Sequence, residues 1–225
     1  MKIIKDMDLE IPEDIGRDFL TKMMGGKLVP SMEKMLAEKR TEAVEALDPR
    51  AVYNAFKIDD IQKDSVFFES GHVFRGPNIS KILTGSETAV IFIFTLGGKI
   101  EKLAKTEKES GDTLGTIILD ALTTSMLGVA GEYVGEIIKQ ENLKGDDYGT
   151  TCTYSPGQYK WTIEEQKEIF AMVDGSSIGV RLNESYLMVP FMSVSGVYGF
   201  GPRDKINRTR VACDLCPRED CIGRR

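Results

Sequence analysis

The run Ala89-Val-Ile-Phe-Ile-Phe-Thr95 constrains the fold more than any other segment. It is mostly β-branched and aromatic, carries no polar side chain before its terminal threonine, and is too short for a typical helix. These features predict a strand buried on both faces at the centre of a sheet. Leu96-Gly97-Gly98 then turns the chain. A strand covered on both sides needs apolar partners, and the stretch from Asp112 to Gln140 supplies one. Leu114, Ile117, Ile118, Ala121, Leu122, Ser125 and Val129 recur near helical spacing on one face, which predicts the main core helix.

Around this pair the other elements are less sharply marked. Pro12 to Leu47 reads as two helices, the first favoured at its start by Glu13-Asp14 and ended by Gly25-Gly26. The second is highly charged, with Met32, Met35, Leu36, Ala43 and Leu47 as its apolar stripe, and Asp48-Pro49 interrupts it. A short segment at Ala51 to Phe56 precedes an alternating strand from Ser65 to Glu69 and a turn at Ser70-Gly71. Thr162-Ile-Glu-Glu165 fits a capping box at a helix start, and Asp174-Gly175 ends that helix. Ile178 to Leu182 and Tyr186 to Val189 are short strand candidates. From Met192 to Phe200 apolar and small residues alternate as in a meander. Helices before and between clustered strands point to one α+β domain with Cys213 to Arg225 as an appended tail.

Composition narrows the function. With 225 residues, 41% hydrophobic and 28% charged, the chain has the balance of a folded globule, which excludes a disordered segment or a disulfide scaffold. A net charge of −6 argues against a broadly basic nucleic-acid surface. A nucleic-acid reading would rest on Arg203, Lys205, Arg208, Arg210 and the terminal Arg224-Arg225, and is the least favoured. The uncharged stretch from Ser185 to Pro202 approaches spanning length, but its prolines, serines and glycines mark it as sheet core, so no membrane is expected. The first residues resemble neither a signal nor a transit peptide, and a cytoplasmic location is the expectation.

All four cysteines lie late in the chain, at Cys152, Cys213, Cys216 and Cys221. In a reducing compartment the Cys-X2-Cys-X4-Cys spacing admits a zinc or iron–sulfur site, with Cys152 completing four thiolates, or else a metal-free tail. The lone His72 has no second histidine or carboxylate pair beside it and reads as structural or solvent-facing. No glycine-rich stretch matches a phosphate-binding loop.

Two ordered C-terminal segments carry the strongest signal. The first is Tyr154-Ser-Pro-Gly157 followed by Trp161 and Gln166. The second runs from Ile178 through Leu182-Asn-Glu-Ser185, Met188 and Pro190 to Ser193-Val-Ser-Gly196. Together with Phe94-Thr-Leu-Gly97 and Leu119-Asp-Ala121 they resemble the reactivation domain of cobalamin-dependent methionine synthase. The resemblance runs roughly from Pro49 to Pro202. The tail cysteines are similar to those of free-standing, corrinoid-associated forms of that domain. The resemblance implies a single domain with a curved, mainly antiparallel sheet flanked by helices. Residues 1–48 would form an N-terminal helical extension, 49–210 the activation-like domain and 211–225 the cysteine tail.

The resemblance further implies S-adenosylmethionine as ligand and docking on a cobalamin-binding methionine synthase or other corrinoid protein. Oxidised cobalamin is there reduced by an electron donor and remethylated from the sulfonium. The chemistry belongs to cobalt and ligand, and no independent catalytic residue is expected in this accessory module. The candidate ligand-binding residues are Thr153, Tyr154, Ser155, Pro156, Gly157 and Gln158 in the loop, and Glu184, Met188, Pro190 and Ser193 near the corrin face. Cys152, Cys213, Cys216 and Cys221 are the candidate metal ligands. Thr153 stands where the family has an arginine, Gln158 where it has a tyrosine, and Ile206-Asn207 near its later paired tyrosines. Threonine cannot offer a carboxylate the bidentate fork of a guanidinium. Either another cation such as Lys160 or Arg181 takes that part, or the chain is an interaction module that has lost the ligand.

Overall fold

A computed structural model describes residues 1–221; the last four residues, with Ile222, Arg224 and Arg225, lie outside the described part. The chain runs β1 (Lys2–Ile4), α1 (Arg17–Met24), α2 (Pro30–Glu45), β2 (Arg50–Gln62), β3 (Ser65–Phe68), β4 (Val73–Arg75), α3 (Pro77–Leu83) and β5 (Thr88–Thr95). It continues with α4 (Gly98–Ser110), α5 (Thr113–Asn142), β6 (Tyr148–Thr150), α6 (Gln166–Met172), β7 (Arg181–Leu182), β8 (Met188–Val189) and β9 (Ser193–Pro202).

The sheet order is β4-β3-β2-β5-β9-β6, with β1 added beside β2, and every pairing is antiparallel. The apolar run from Ala89 is the centre of this sheet, as its composition requires: β5 pairs with β2 on one side and with β9 on the other. Besides β1, β2 serves two partners in succession along its length. Its first half pairs with β5 and its second with β3, and the register shifts between Ile58 and Asp60. A bulge at such a point bends the strand, which is one source of the sheet's curl. The expected meander is not formed: the alternating segment is the single long strand β9, and the short strands before it pair only with each other, the β7–β8 hairpin standing apart as a two-stranded sheet.

Two cores lie on opposite faces of β5. Ile91 and Ile93 join Val52 and Val197 under α3, α6 and Trp161. Val90, Phe92 and Phe94 join Tyr53, Tyr198 and Phe200 under α5. The helix α5 starts at the Asp112 cap, whose side chain accepts from the Gly115 amide. Its expected apolar stripe does not face the sheet: Ile118, Ala121 and Leu122 pack with Leu20 of α1 and Leu36 of α2. The sheet is met by Leu119, Met126, Ala130, Val134 and Ile138. By length and composition α5 would suffice to cross a membrane, yet both of these faces are covered within the fold. The N-terminal helices are thus a second layer over α5.

Several local readings shift. The first helix begins at Arg17, after Gly16 in the left-handed region, rather than at Glu13. The capping box is not formed: Thr162 precedes a 3₁₀ turn without capping it, and the Glu165 carboxylate instead accepts from the Arg75 amide at 2.7 Å. The elements not marked in sequence are β2 as a long strand, the helices α3 and α4, and the short strands β1, β4 and β6.

The turn Leu96-Gly97 shows what one of the linked motifs does. Gly97 has φ +95°, and a Cβ there would stand 2.8 Å from both the Asp48 Cβ and its carbonyl oxygen. Gly97→Ala is therefore expected to lose more than ~1 kcal/mol in thermal unfolding. Gly26→Ala, where nothing lies within 4 Å of the added carbon, should change little. Equal effects at the two sites would contradict this reading.

Candidate ligand cleft

The residues of the linked motifs converge on β9. Tyr154 bridges to Val197, donating and accepting backbone hydrogen bonds at 3.2 and 2.9 Å. The Ser195 hydroxyl donates to Gln166 Oε1 at 2.7 Å with both groups buried. Ser193 lies opposite Thr95 in the β5–β9 ladder, and its hydroxyl donates at 2.9 Å to the threonine hydroxyl. Gly196 allows the loop to lie on the strand, since a Cβ there would be 2.9 Å from Ser155 Oγ and 3.0 Å from the Tyr154 carbonyl. These motifs co-occur because they form one joint.

That joint assigns the loop residues to two sides. Tyr154 is buried, its ring stacked on Trp161 with centroids 5.8 Å apart. The Asn78 amide donates to its hydroxyl at 3.2 Å, and the hydroxyl in turn donates to the Tyr159 carbonyl. It belongs to the core, with Trp161 and Gln166, and is not free to meet a ligand. Pro156 is buried as well. The turn is closed by Gln158, whose Oε1 accepts from the Ser155 amide at 3.0 Å, while Gly157, at φ +90°, donates to the Trp161 carbonyl at 2.8 Å.

Thr153, Ser155 and Gln158 face the other way and line a cleft of about 1070 Å³ between α5 and the β9–β6 edge. Its apolar floor is Phe92, Phe94, Val194 and Tyr198, and α5 contributes Leu127, Gly128, Gly131 and Glu132. Glycines let this helix ride close to the sheet: a Cβ on Gly135 would be 2.5 Å from the Tyr198 hydroxyl. The far wall is the segment after β9, with Arg203, Arg208 and Arg210. Antiparallel pairing of β6 with β9, Tyr148 opposite Pro202, brings this segment beside the loop. Lys160 and Arg181 do not line the cleft; the Lys160 ammonium sits 5.2 Å from the Tyr159 ring centroid. The cations at the cleft are Lys139, paired with Glu136, and the later arginines, which the sequence offered only for a nucleic-acid surface.

Glu184, Met188 and Pro190 belong to the β7–β8 hairpin and its exit, away from the lining of this cleft. Glu184 is exposed, Met188 packs against the core, and Pro190 follows Val189 through a cis peptide bond. Ser193 is buried, its hydroxyl shared between Thr95 and the Pro190 carbonyl. The hairpin leaves Leu187 and Phe191 exposed. The structure therefore separates the loop candidates from the hairpin candidates, with β9 connecting them.

The four cysteines are free thiols, and among the described residues no three His, Cys, Asp or Glu side chains gather as a metal site requires. The expected zinc or iron–sulfur centre is not assembled by these residues. Cys152 and Cys213 both border the cleft, and Ala212 and Leu215 dock the tail turn on the core. Burial pushes the Cys152 thiol up to about 11, assisted by the Asp214 carboxylate and opposed by a backbone hydrogen bond. His72 approaches Glu168 at 3.5 Å on the opposite side of the sheet's chemistry, between β3–β4 and α6.

The fold and cleft define a class: an α+β domain whose curled antiparallel sheet supports a ligand-sized recess beside one edge. Residues 79–209 match the family model described as the vitamin B12-dependent methionine synthase activation domain, and the chain belongs to that family. Among solved structures it is similar to one titled "Crystal Structure of the MetH Reactivation Domain bound to AdoHcy". The identity is 17% and the TM-score 0.60, over 92% of this chain and 80% of that one. No curated protein sequence matches the chain.

The thiols provide a check on the site's geometry. At pH 8 Cys152 should be the slowest of the four cysteines to react with iodoacetamide, and its rate should rise about tenfold per pH unit until its pKa of about 11. Labelling of Cys152 as fast as that of the exposed Cys221 would contradict the burial described.

Proposed function

We propose that this chain binds S-adenosylmethionine in the α5–β9 cleft and serves as a module that reactivates the cobalamin of a methionine synthase or related corrinoid protein. The observation that carries this reading is the cleft itself, in a chain of the activation-domain family. Its volume suits a ligand of this size, and its make-up matches the usual pattern of an apolar recess with few convergent polar groups. Phe92, Phe94 and Val194 offer an apolar surface to a purine, while Thr153 and Gln158 offer hydrogen-bonding groups. The solved relative holding S-adenosylhomocysteine supports the same ligand class.

In this reading the chain binds and orients the sulfonium, and the exposed β7–β8 hairpin, with Met188, Pro190 and the neighbouring Phe191, meets the corrin side of the partner. The partner's cobalamin supplies the redox and methyl-accepting chemistry, with an external electron donor. The module's action in trans, on a separate corrinoid protein, is part of the proposal. Thr153 in the place of the family's arginine favours one second reading, an interaction module without ligand binding.

Calorimetry separates the two. Binding of S-adenosylmethionine in the micromolar range, about −8 kcal/mol, with thermal stabilisation of the chain is the expected result. No heat and no stabilisation at millimolar ligand would overturn ligand binding and leave the interaction reading. Partner action is read independently, from faster S-adenosylmethionine-dependent recovery of an oxidised cobalamin-loaded methionine synthase lacking its own reactivation region.

A further inference from the structure

The cleft is electrically two-sided. On the α5 wall stands Glu132, and on the facing segment after β9 stand Arg203, Arg208 and Arg210. The other charged pair on the helix wall is internally satisfied, Lys139 Nζ lying 2.7 Å from Glu136 Oε1. No ion pair among the described residues involves Glu132 or any of the three arginines. Among the described residues the one hydrogen bond from their side chains runs from Arg208 to the Arg203 carbonyl at 3.5 Å, the outer limit for such a contact. Between these walls lies the apolar floor of Phe92, Phe94 and Val194.

Unpaired charges of opposite sign across an apolar floor are complementary to a ligand that carries both signs. Guanidiniums favour a carboxylate because their planar donors match its two oxygens. A carboxylate wall favours a cation and resists a second anion. From this arrangement we infer that the arginines after β9 form the carboxylate-recognising side of the cleft, and Glu132 the side that receives the ligand's cationic centre. Specificity for an α-amino-acid sulfonium is thereby built from residues outside the Tyr154–Gln158 loop. The position that the loop leaves to Thr153 is supplied across the cleft. The inference rests on the proposed function, since it concerns how that ligand is held.

A set of three ligands isolates the two walls. S-Adenosylmethionine carries carboxylate, ammonium and sulfonium; S-adenosylhomocysteine lacks the sulfonium charge; 5′-methylthioadenosine lacks the amino-acid end altogether. Their dissociation constants are measured by calorimetry for the wild-type chain, for R203Q/R208Q/R210Q and for E132Q. All four positions are exposed, so the fold should persist, which thermal unfolding confirms independently.

The triple variant is expected to weaken S-adenosylhomocysteine at least tenfold while leaving 5′-methylthioadenosine within about twofold. E132Q is expected to weaken both amino-acid ligands relative to 5′-methylthioadenosine, the sulfonium most. Equal losses for all three ligands, or no loss, would overturn the inference while leaving the proposed function standing. Failure of the wild-type chain to bind S-adenosylmethionine would overturn both. Single variants R203Q, R208Q and R210Q then divide the effect among the three side chains.

Discussion

The hydrogen bond from Ser195 to Gln166 is the contact on which the site depends. It lies 2.7 Å long in a buried setting, between the start of β9 and the first turn of α6. A buried polar group that loses its partner costs about 1–3 kcal/mol, so both residues constrain where the helix meets the sheet. With α6 fixed, Trp161 is held against Phe74 and Tyr154, at centroid distances of 5.3 and 5.8 Å. Tyr154 then anchors the loop to Val197 by two backbone bonds. The side chains before and after it, Thr153 and Ser155, are left to face the cleft.

This arrangement explains why the most distinctive residues of the chain are not its most exposed ones. Tyr154, Trp161, Gln166, Ser193, Ser195 and Gly97 serve the joint between β5, β9 and the loop. The lining of the cleft, to which the proposed function gives recognition, is made of plainer neighbours, a threonine, a glutamine, a glutamate and arginines, whose setting rather than identity marks them. A family resemblance carried by the joint residues therefore reports the fold firmly, and the ligand only through the recess that the fold creates.

How much could be read from sequence follows the same division. The strand at Ala89 and the helix at Asp112 were legible because each buries a long uninterrupted apolar pattern. The face of α5 was misassigned because this helix is covered on two sides, and the stripe chosen was the one meeting α1 and α2. α4 was missed because its buried stripe of Ile100, Leu103 and Ala104 continues into Glu107, a charge made tolerable there by Lys39 at 2.7 Å. β2 was hidden because its two halves face different partners across a bulge, and no single period runs through it. The arginine wall was unreadable as a site because only the β6–β9 register brings residues near 150 beside those after 202.

The proposed function places S-adenosylmethionine between α5 and the β9–β6 edge. A crystal structure with S-adenosylhomocysteine at saturating concentration tests it most directly. The expected result is the adenosyl group over Phe92, Phe94 and Val194, with the amino-acid end between Glu132 and the arginines that follow β9. The ligand bound at the β7–β8 hairpin, or an empty cleft at a concentration where binding is saturated in solution, would contradict it.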